Sequence, residues 1–209
     1  MRLILASASP RRAELLRSAG YDFEIHAVDI DERSKPGEPP AEYVDRLAKE
    51  KSSRGLSAVV SGFGQTLEGL SQTLEEVAVL GADTAVVVGG TILGKPHDAE
   101  DAARMLRRLS GRSHQVMTGV CLQTTQRSVS HVEISSVTFA PLTEDQIAWY
   151  VASGEGTDKA GGYAIQGLAS RFIPRIEGSY SNVVGLPIAV VSDLLSRLTN
   201  LRSVLASGE

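Results

Sequence analysis

The sequence is short of several residue types, and each shortage removes a class of protein. Cys121 is its only cysteine among 209 residues, so no internal disulfide can form, and a reducing compartment is expected. No stretch approaches the roughly 20 apolar residues of a membrane span. The N-terminus reaches Ser7-Ala8-Ser9-Pro10-Arg11-Arg12 too early to hold the apolar part of a signal peptide, so a cytoplasmic location is expected. Positive charge is not in excess: the net charge is -4, which does not favour nonspecific nucleic-acid binding. No Gly-x-x-x-x-Gly-Lys-Ser/Thr loop and no Gly-x-Ser-x-Gly elbow occurs. The four histidines, His26, His97, His114 and His131, are scattered without zinc-ligand spacing. Cys121 falls in an alternating strand, where its side chain packs rather than reacts.

What is there suits a globular protein. Apolar residues make up 42% of the chain and charged residues 22%, enough for a core of its own in one large domain or two small lobes. Residues 2–6 read as a buried strand. Ser9 as N-cap and Pro10 at the first helical position then open a helix that Gly20 ends. Residues 21–28 read as a strand, 29–40 as a polar, proline-rich loop, and 41–51 as a helix facing inward through Val44, Leu47 and Ala48. Residues 52–72, rich in Gly, Ser and Gln, read as a mobile insertion. Strand-like stretches 77–82 and 84–88 precede a Gly89-Gly90 hairpin turn. Asp98 caps a helix carrying Ala102, Met105, Leu106 and Leu109. Strands follow over 114–122 and 129–139, then a helix opened by a Thr143–Gln146 capping box. Strands over 161–166 and 171–176 and a closing helix over 188–198 complete a mixed α/β pattern with no internal repeat.

Five segments carry candidate chemistry. At Ser7-Ala8-Ser9-Pro10-Arg11-Arg12, a helix start, hydroxyls and guanidinium groups together could hold phosphate oxygens. Alone, the segment is equally a capped helix with solvated arginines. In Gly81-Ala82-Asp83-Thr84 a carboxylate at a strand end, with small neighbours, could bind a divalent cation or orient water, or simply cap its own turn. Asp29, Asp31 and Glu32 could hold magnesium or form a solvated acidic loop, which is the reading their pattern favours. In an extended chain Glu32 points away from the other two. Lys95, between Gly94 and Pro96, could meet a phosphate as a point charge, or be a surface lysine in a turn. The densest segment runs from Asp158 and Lys159 through Gly161-Gly162-Tyr163 to Gln166, whose amide offers donor and acceptor to a base edge. It too could be a glycine turn.

In order along the chain, these segments resemble the Maf family of nucleotide pyrophosphatases, from Leu5 to Pro187. The resemblance is carried by Ala6-Ser7-Ala8-Ser9-Pro10-Arg11-Arg12, Gly81-Ala82-Asp83-Thr84, Gly94-Lys95-Pro96, Leu109-Ser110-Gly111 with His114, and Thr118-Gly119-Val120. Asp158-Lys159-Ala160-Gly161-Gly162-Tyr163 and Asn182-Val183-Val184-Gly185-Leu186-Pro187 complete the set. Each is weak alone; the ordered set is specific.

The resemblance implies a single domain over residues 1–209: a mixed twisted α/β sheet with flanking helices, in two lobes about a central cleft, like inosine triphosphatase. It implies metal-dependent attack of water on the α-phosphate of a nucleoside triphosphate, and a homodimer. Asp83 matches the catalytic acid; Glu32 helps it hold Mg2+ or Mn2+ or the water. Lys51 and Lys95 face phosphates, with Ser7, Ser9, Arg12 and Lys159 also in the substrate site. Arg11, Thr84 and Gln166 match positions associated with substrate choice, and Tyr163-Ala164-Ile165-Gln166-Gly167 looks like the branch that hydrolyses dTTP, UTP and some modified pyrimidine triphosphates. The 52–72 stretch departs from the pattern. Two other classes stay open: a nucleotide-binding regulator of cell division without turnover, and a phosphatase releasing inorganic phosphate.

Overall fold

The computed structural model describes residues 1–62 and 77–206, with side chains as far as Leu198. Their elements, in order, are β1 (Arg2–Leu5), α1 (Pro10–Ser18), β2 (Phe23–Ile25), α2 (Pro40–Gly62), β3 (Val77–Val88), β4 (Thr91–Leu93) and α3 (Ala99–Leu109). There follow β5 (Ser113–Gln123), β6 (Ser128–Thr138), α4 (Glu144–Ala152), short 3-10 turns at Ala160–Gly162 and Leu168–Phe172, β7 (Arg175–Glu177), α5 (Tyr180–Val184) and α6 (Ile188–Ala206). No described helix is long and apolar enough to cross a membrane.

The described strands form one seven-stranded mixed sheet in the order β2-β1-β3-β5-β6-β7, with β4 also on β3. β1 runs parallel to β2 and β3; the remaining pairs are antiparallel. β3 is apolar on both faces because helices cover both. Its residues Val77, Val79, Ala85 and Val87 pack beside Val44, Leu56 and Val59 of α2. Its residues Ala78, Leu80 and Ala82 pack in a cluster with Ala13 and Leu16 of α1 and Val191 and Leu194 of α6. Val86 and Val88 join Met105, Leu106 and Leu109 of α3.

Several expectations change. Residues 52–62, read as part of an insertion, are helical and continue α2. The segment looks aperiodic because two of its sheet-facing positions, Ser52 and Gly55, are small; with Leu56 and Val59 they are buried at helical spacing. A Cβ on Gly55 would already meet Val79 Cγ1 at 2.9 Å. Packing therefore overrides the weak helix propensity of glycine and serine. The rest of that stretch, residues 63–72, lies outside the described residues. Stretches 77–82 and 84–88 are one strand, so Asp83 stands mid-strand and not at an end. Residues 161–166 are 3-10 and turn backbone, with Gly161 at φ 72°, rather than a strand. Only Arg175 and Ile176 of the 171–176 stretch are in a strand, β7, and only Phe23–Ile25 of 21–28. The closing helix runs on to Ala206. Ser9 occupies the N-cap position of α1 without making a side-chain cap; its own N–H donates to Ser7 Oγ at 3.2 Å. The Asp98 cap and the Thr143–Gln146 capping box are as expected.

Candidate active site

A mid-strand carboxylate can reach a ligand only if the sheet opens beside it. Here β1 and β4 share one edge of β3, β1 along residues 77–80 and β4 along 86–88. Between them, among the described residues, no strand pairs with that edge at 81–85. Arg12, buried on α1, crosses the gap. Its Nη1 donates to Ala82 O at 2.8 Å and to Ser7 Oγ at 3.1 Å, its Nε to Gly185 O at 2.9 Å and its Nη2 to Thr84 Oγ1 at 3.1 Å. The guanidinium replaces missing backbone partners, since a buried carbonyl needs a donor. Burial lowers the Arg12 pKa, while Asp83 and Glu32 oppose that shift.

Asp83 faces α2. Two glycines let that helix lie directly on the sheet: a Cβ on Gly81 would sit 2.2 Å from Ala48 O, and one on Gly119, the cross-strand partner of Asp83, 2.2 Å from Val44 O. The close approach lays Lys51 over Asp83. Lys51 Nζ lies 2.7 Å from Asp83 Oδ1 and 2.6 Å from Glu32 Oε1. The side chains of Lys51 and Asp83 are 9% and 10% exposed, whereas Glu32 is 51% exposed on its loop. Partial burial would raise the Glu32 pKa, but the hydrogen bond from Lys51 and the fields of Lys51, Lys95 and Arg12 hold it below the ordinary value. Tyr43, one helix face away, has its phenol pushed up to about 12 by burial and by the Asp83 and Glu32 charges.

These groups open onto a cavity of about 810 Å³. Ser7, Ser9, Arg11, Arg12, Glu32, Lys51, Asp83, Thr84, Lys95, Lys159 and Gln166 all line it, so the structure gathers in one place residues scattered through 160 positions of sequence. Five basic side chains (Arg11, Arg12, Lys51, Lys95, Lys159) face three acidic ones (Glu32, Asp83, Asp158), making a locally positive cavity in an acidic chain. The Gly161 N–H donates to Gly94 O at 2.9 Å, tying the Lys95 turn to the segment that carries Lys159 and Gln166. Lys159 pairs with Asp158, and Gln166 is exposed at the rim.

Other candidates stay apart. Asp29 and Asp31 do not line the cavity, and Asp31 is held by Arg33 at 2.7 Å, so the three-carboxylate magnesium loop does not form. Cys121 is fully buried. His114 is buried too; its Nε2 lies 2.7 Å from the Tyr163 hydroxyl and its Nδ1 has no partner, so it is packed away from the cavity.

Two roles were not legible beforehand. Tyr43 lines the cavity and donates from Oη to the Glu32 carbonyl at 2.9 Å. Its signal was position, two turns before Lys51 on one helix. The Thr118-Gly119-Val120 and Asn182–Pro187 motifs support the cavity wall from behind, only Val183, Val184 and Gly185 of them lining it. Thr84 Oγ1 lies 3.0 Å from Thr118 Oγ1, which donates to Asn182 O at 3.3 Å, and the Asn182 amide donates to Val116 O at 3.0 Å and Ser135 Oγ at 2.9 Å.

Known proteins are similar to this chain over most of its length. A family profile described as "Maf-like protein" matches residues 2–198. A dTTP/UTP pyrophosphatase of Anaeromyxobacter dehalogenans is 48% identical over 200 residues, covering 94% of this chain and 93% of that protein. Proteins of the same name from Shigella sonnei and Escherichia coli O6:K15:H31 are 48% and 47% identical, each over 96% of this chain and 94% of theirs. Among solved structures, the Staphylococcus aureus Ham1 protein superposes at a TM-score of 0.40 and 12% identity, over 67% of this chain and 72% of that one, which is too low to bear on function. With the family profile spanning nearly the whole length, and near-half identity to relatives matched end to end, the chain belongs to the Maf-like protein family.

Proposed function

We propose that the cavity binds dTTP or UTP and hydrolyses it between the α- and β-phosphates, releasing the nucleoside monophosphate and pyrophosphate. The observation that carries this reading is the convergence of Asp83 and Glu32 on one cation, inside a cavity whose basic side chains outnumber its acidic ones. The relatives' shared name, dTTP/UTP pyrophosphatase, supports the substrate class.

Triphosphate hydrolysis depends on positioning and on neutralising oxygen charge. Lys51, Lys95, Arg11 and Lys159 supply that neutralisation along the triphosphate. Oδ1 of Asp83 holds Lys51, and among the described residues Oδ2 has no donor, so Oδ2 takes the proton of the attacking water. The water oxygen bonds to the α-phosphorus. The bond from that phosphorus to the α–β bridging oxygen breaks, and pyrophosphate leaves with the electron pair. The Gln166 amide pairs with the O4/N3–H edge of the pyrimidine, one acceptor and one donor.

The residues fit a divalent metal. The two carboxylates converge on the Lys51 ammonium, each through one oxygen, and both are the hard oxygen donors that Mg2+ and Mn2+ prefer. No group of three or more His, Cys, Asp or Glu suited to a metal is found among the described residues, so Asp83 and Glu32 would hold it with water and phosphate. When bound, the metal supplies Lewis-acid charge at the phosphate oxygens. The same reading takes the enzyme to be a cytoplasmic homodimer, which fractionation and sedimentation check.

The test is a product assay. Purified protein with Mg2+ or Mn2+ is given dTTP, UTP, CTP, GTP and 7-methyl-GTP, and products are separated chromatographically. Monophosphate and pyrophosphate from dTTP and UTP, lost on chelation, are expected. Asp83→Asn should lower kcat by about 10²- to 10⁴-fold, the range of general-base losses. Release of inorganic phosphate instead would overturn the reaction, and preference for 7-methyl-GTP would overturn the substrate assignment.

A further inference from the structure

Glu32 is half-exposed on the loop at residues 26–39, so its own packing does not aim it. Two residues of α2 do. Tyr43 Oη donates to the Glu32 carbonyl at 2.9 Å, and Arg46 Nη2 to the next carbonyl, that of Arg33, at 3.2 Å. Two successive carbonyls of the loop are thus fixed to residues one turn apart on a helix, which sets the peptide plane beside Glu32. Arg46 is itself locked. Glu38, at the far end of the same loop, grips its Nε at 2.6 Å and Nη2 at 2.8 Å, and Glu50 holds Nη1 at 3.2 Å. The Arg46 and Glu38 side chains are 16% and 7% exposed, so this two-point pair is shielded from water, unlike an ordinary surface ion pair. The Arg46 guanidinium also lies 5.7 Å from the centre of the Tyr43 ring, bracing the tyrosine.

We infer that Tyr43 and Arg46 are positioning residues for Glu32, strapping its loop to α2 so that its carboxylate meets Lys51 opposite Asp83. This rests on the reading of Glu32 as part of the hydrolytic site. The α2 helix therefore serves the centre twice: Lys51 reaches Asp83, and Tyr43, at the cavity wall, together with Arg46 delivers Glu32. A phenol that only filled space would need no hydroxyl; here the hydroxyl is the contact.

The experiment pairs kinetics on dTTP with hydrogen exchange. Tyr43→Phe removes one oxygen and keeps the ring, so the protein folds. It should lower kcat about tenfold, the order expected for one lost hydrogen bond expressed in the transition state, with KM changed by less than about twofold. In a Glu32→Gln background the same change should cost nothing further, because the residue being aimed is already disabled. Arg46→Gln should speed amide exchange at residues 30–36 while β3 and β5 stay protected, and Arg46→Lys should recover only part of the activity, since lysine lacks the fork. Losses that multiply in the Tyr43→Phe/Glu32→Gln double variant, or loop exchange unchanged in Arg46→Gln, would overturn the strap. A wild-type protein that yields no pyrophosphate would instead overturn the functional reading, and the exchange result would still decide whether the strap exists.

Discussion

At the scale of single residues, the centre is a charge problem. Two carboxylates face one ammonium in a setting where Asp83 and Lys51 are nearly out of water. Removing one partner of a buried pair leaves a charge that nothing compensates, which costs more than the pair contributes. Lys51→Met should therefore destabilise the metal-free protein by about 3 kcal/mol, with most of the cost at Asp83, because half-exposed Glu32 can turn to solvent. Differential scanning calorimetry in chelator should show a melting temperature lower by about 6–12 °C. Adding Asp83→Asn to Lys51→Met should restore part of that loss, and added Mg2+ should do so in the single variant. A double variant less stable than Lys51→Met would show that the ammonium was not compensating Asp83. Arg12 behaves differently. Four of its hydrogen bonds go to Ser7, Ala82, Thr84 and Gly185, so it secures the walls of the cavity as well as its charge.

At the scale of elements, what matters is how near α2 comes to the sheet. A mixed α/β pattern was legible from the alternation of strand-like and helical stretches, whereas the sheet with flanking helices and the cavity residues followed from the resemblance carried by the ordered motifs around Ser7, Asp83, Lys95 and Lys159. The depth of α2 was not legible. Its second half is written in Ser and Gly, which look like linker until the sheet face of Gly81 and Gly119 is known to need small partners. Likewise Asp83 reads as a strand end, because a sequence cannot show that two strands share one edge of β3 and leave a gap between them. The expected consequence is sharp. Gly119→Ala puts a methyl 2.2 Å from Val44 O and 2.8 Å from Asp45 N, backbone that cannot turn aside. It should cost about 3 kcal/mol or more, at the top of the overpacking range, and pull Lys51 off Asp83, so that activity falls further than stability. Gly62→Ala, on the same helix with nothing within 4 Å of its Cβ, should be neutral or slightly stabilising. Equal melting temperatures for the two variants would mean that α2 can shift without cost.

At the scale of the whole molecule, the segment carrying Lys159 and Gln166 must be docked on the sheet, and a buried aromatic group performs that docking. His114 of β5 meets Phe139 at a tilt, 5.6 Å between ring centres, and Tyr163 edge-on at 5.5 Å, and Phe139 meets Tyr163 edge-on at 5.0 Å. Burial lowers the His114 pKa to about 4, from an ordinary 6.5. Its Nδ1 has no partner to receive a second N–H, so the neutral ring is the one that fits. Between those two pH values the unfolded chain binds a proton at this position and the folded chain does not, so stability rises with pH there. The contribution is complete above pH 6.5 and is lost as pH falls towards 4, on the order of 3 kcal/mol in all. Glu32, whose folded pKa is also lowered, adds a loss of the same sign only below its ordinary value near 4.5. Chemical denaturation from pH 7 to pH 4.5 should thus show a falling unfolding free energy in the wild type. His114→Gln should start lower at pH 7, having lost the ring contacts, yet decline less steeply over the same interval. If both proteins decline in parallel, the acid sensitivity arises elsewhere and His114 is a packing residue without a linked proton.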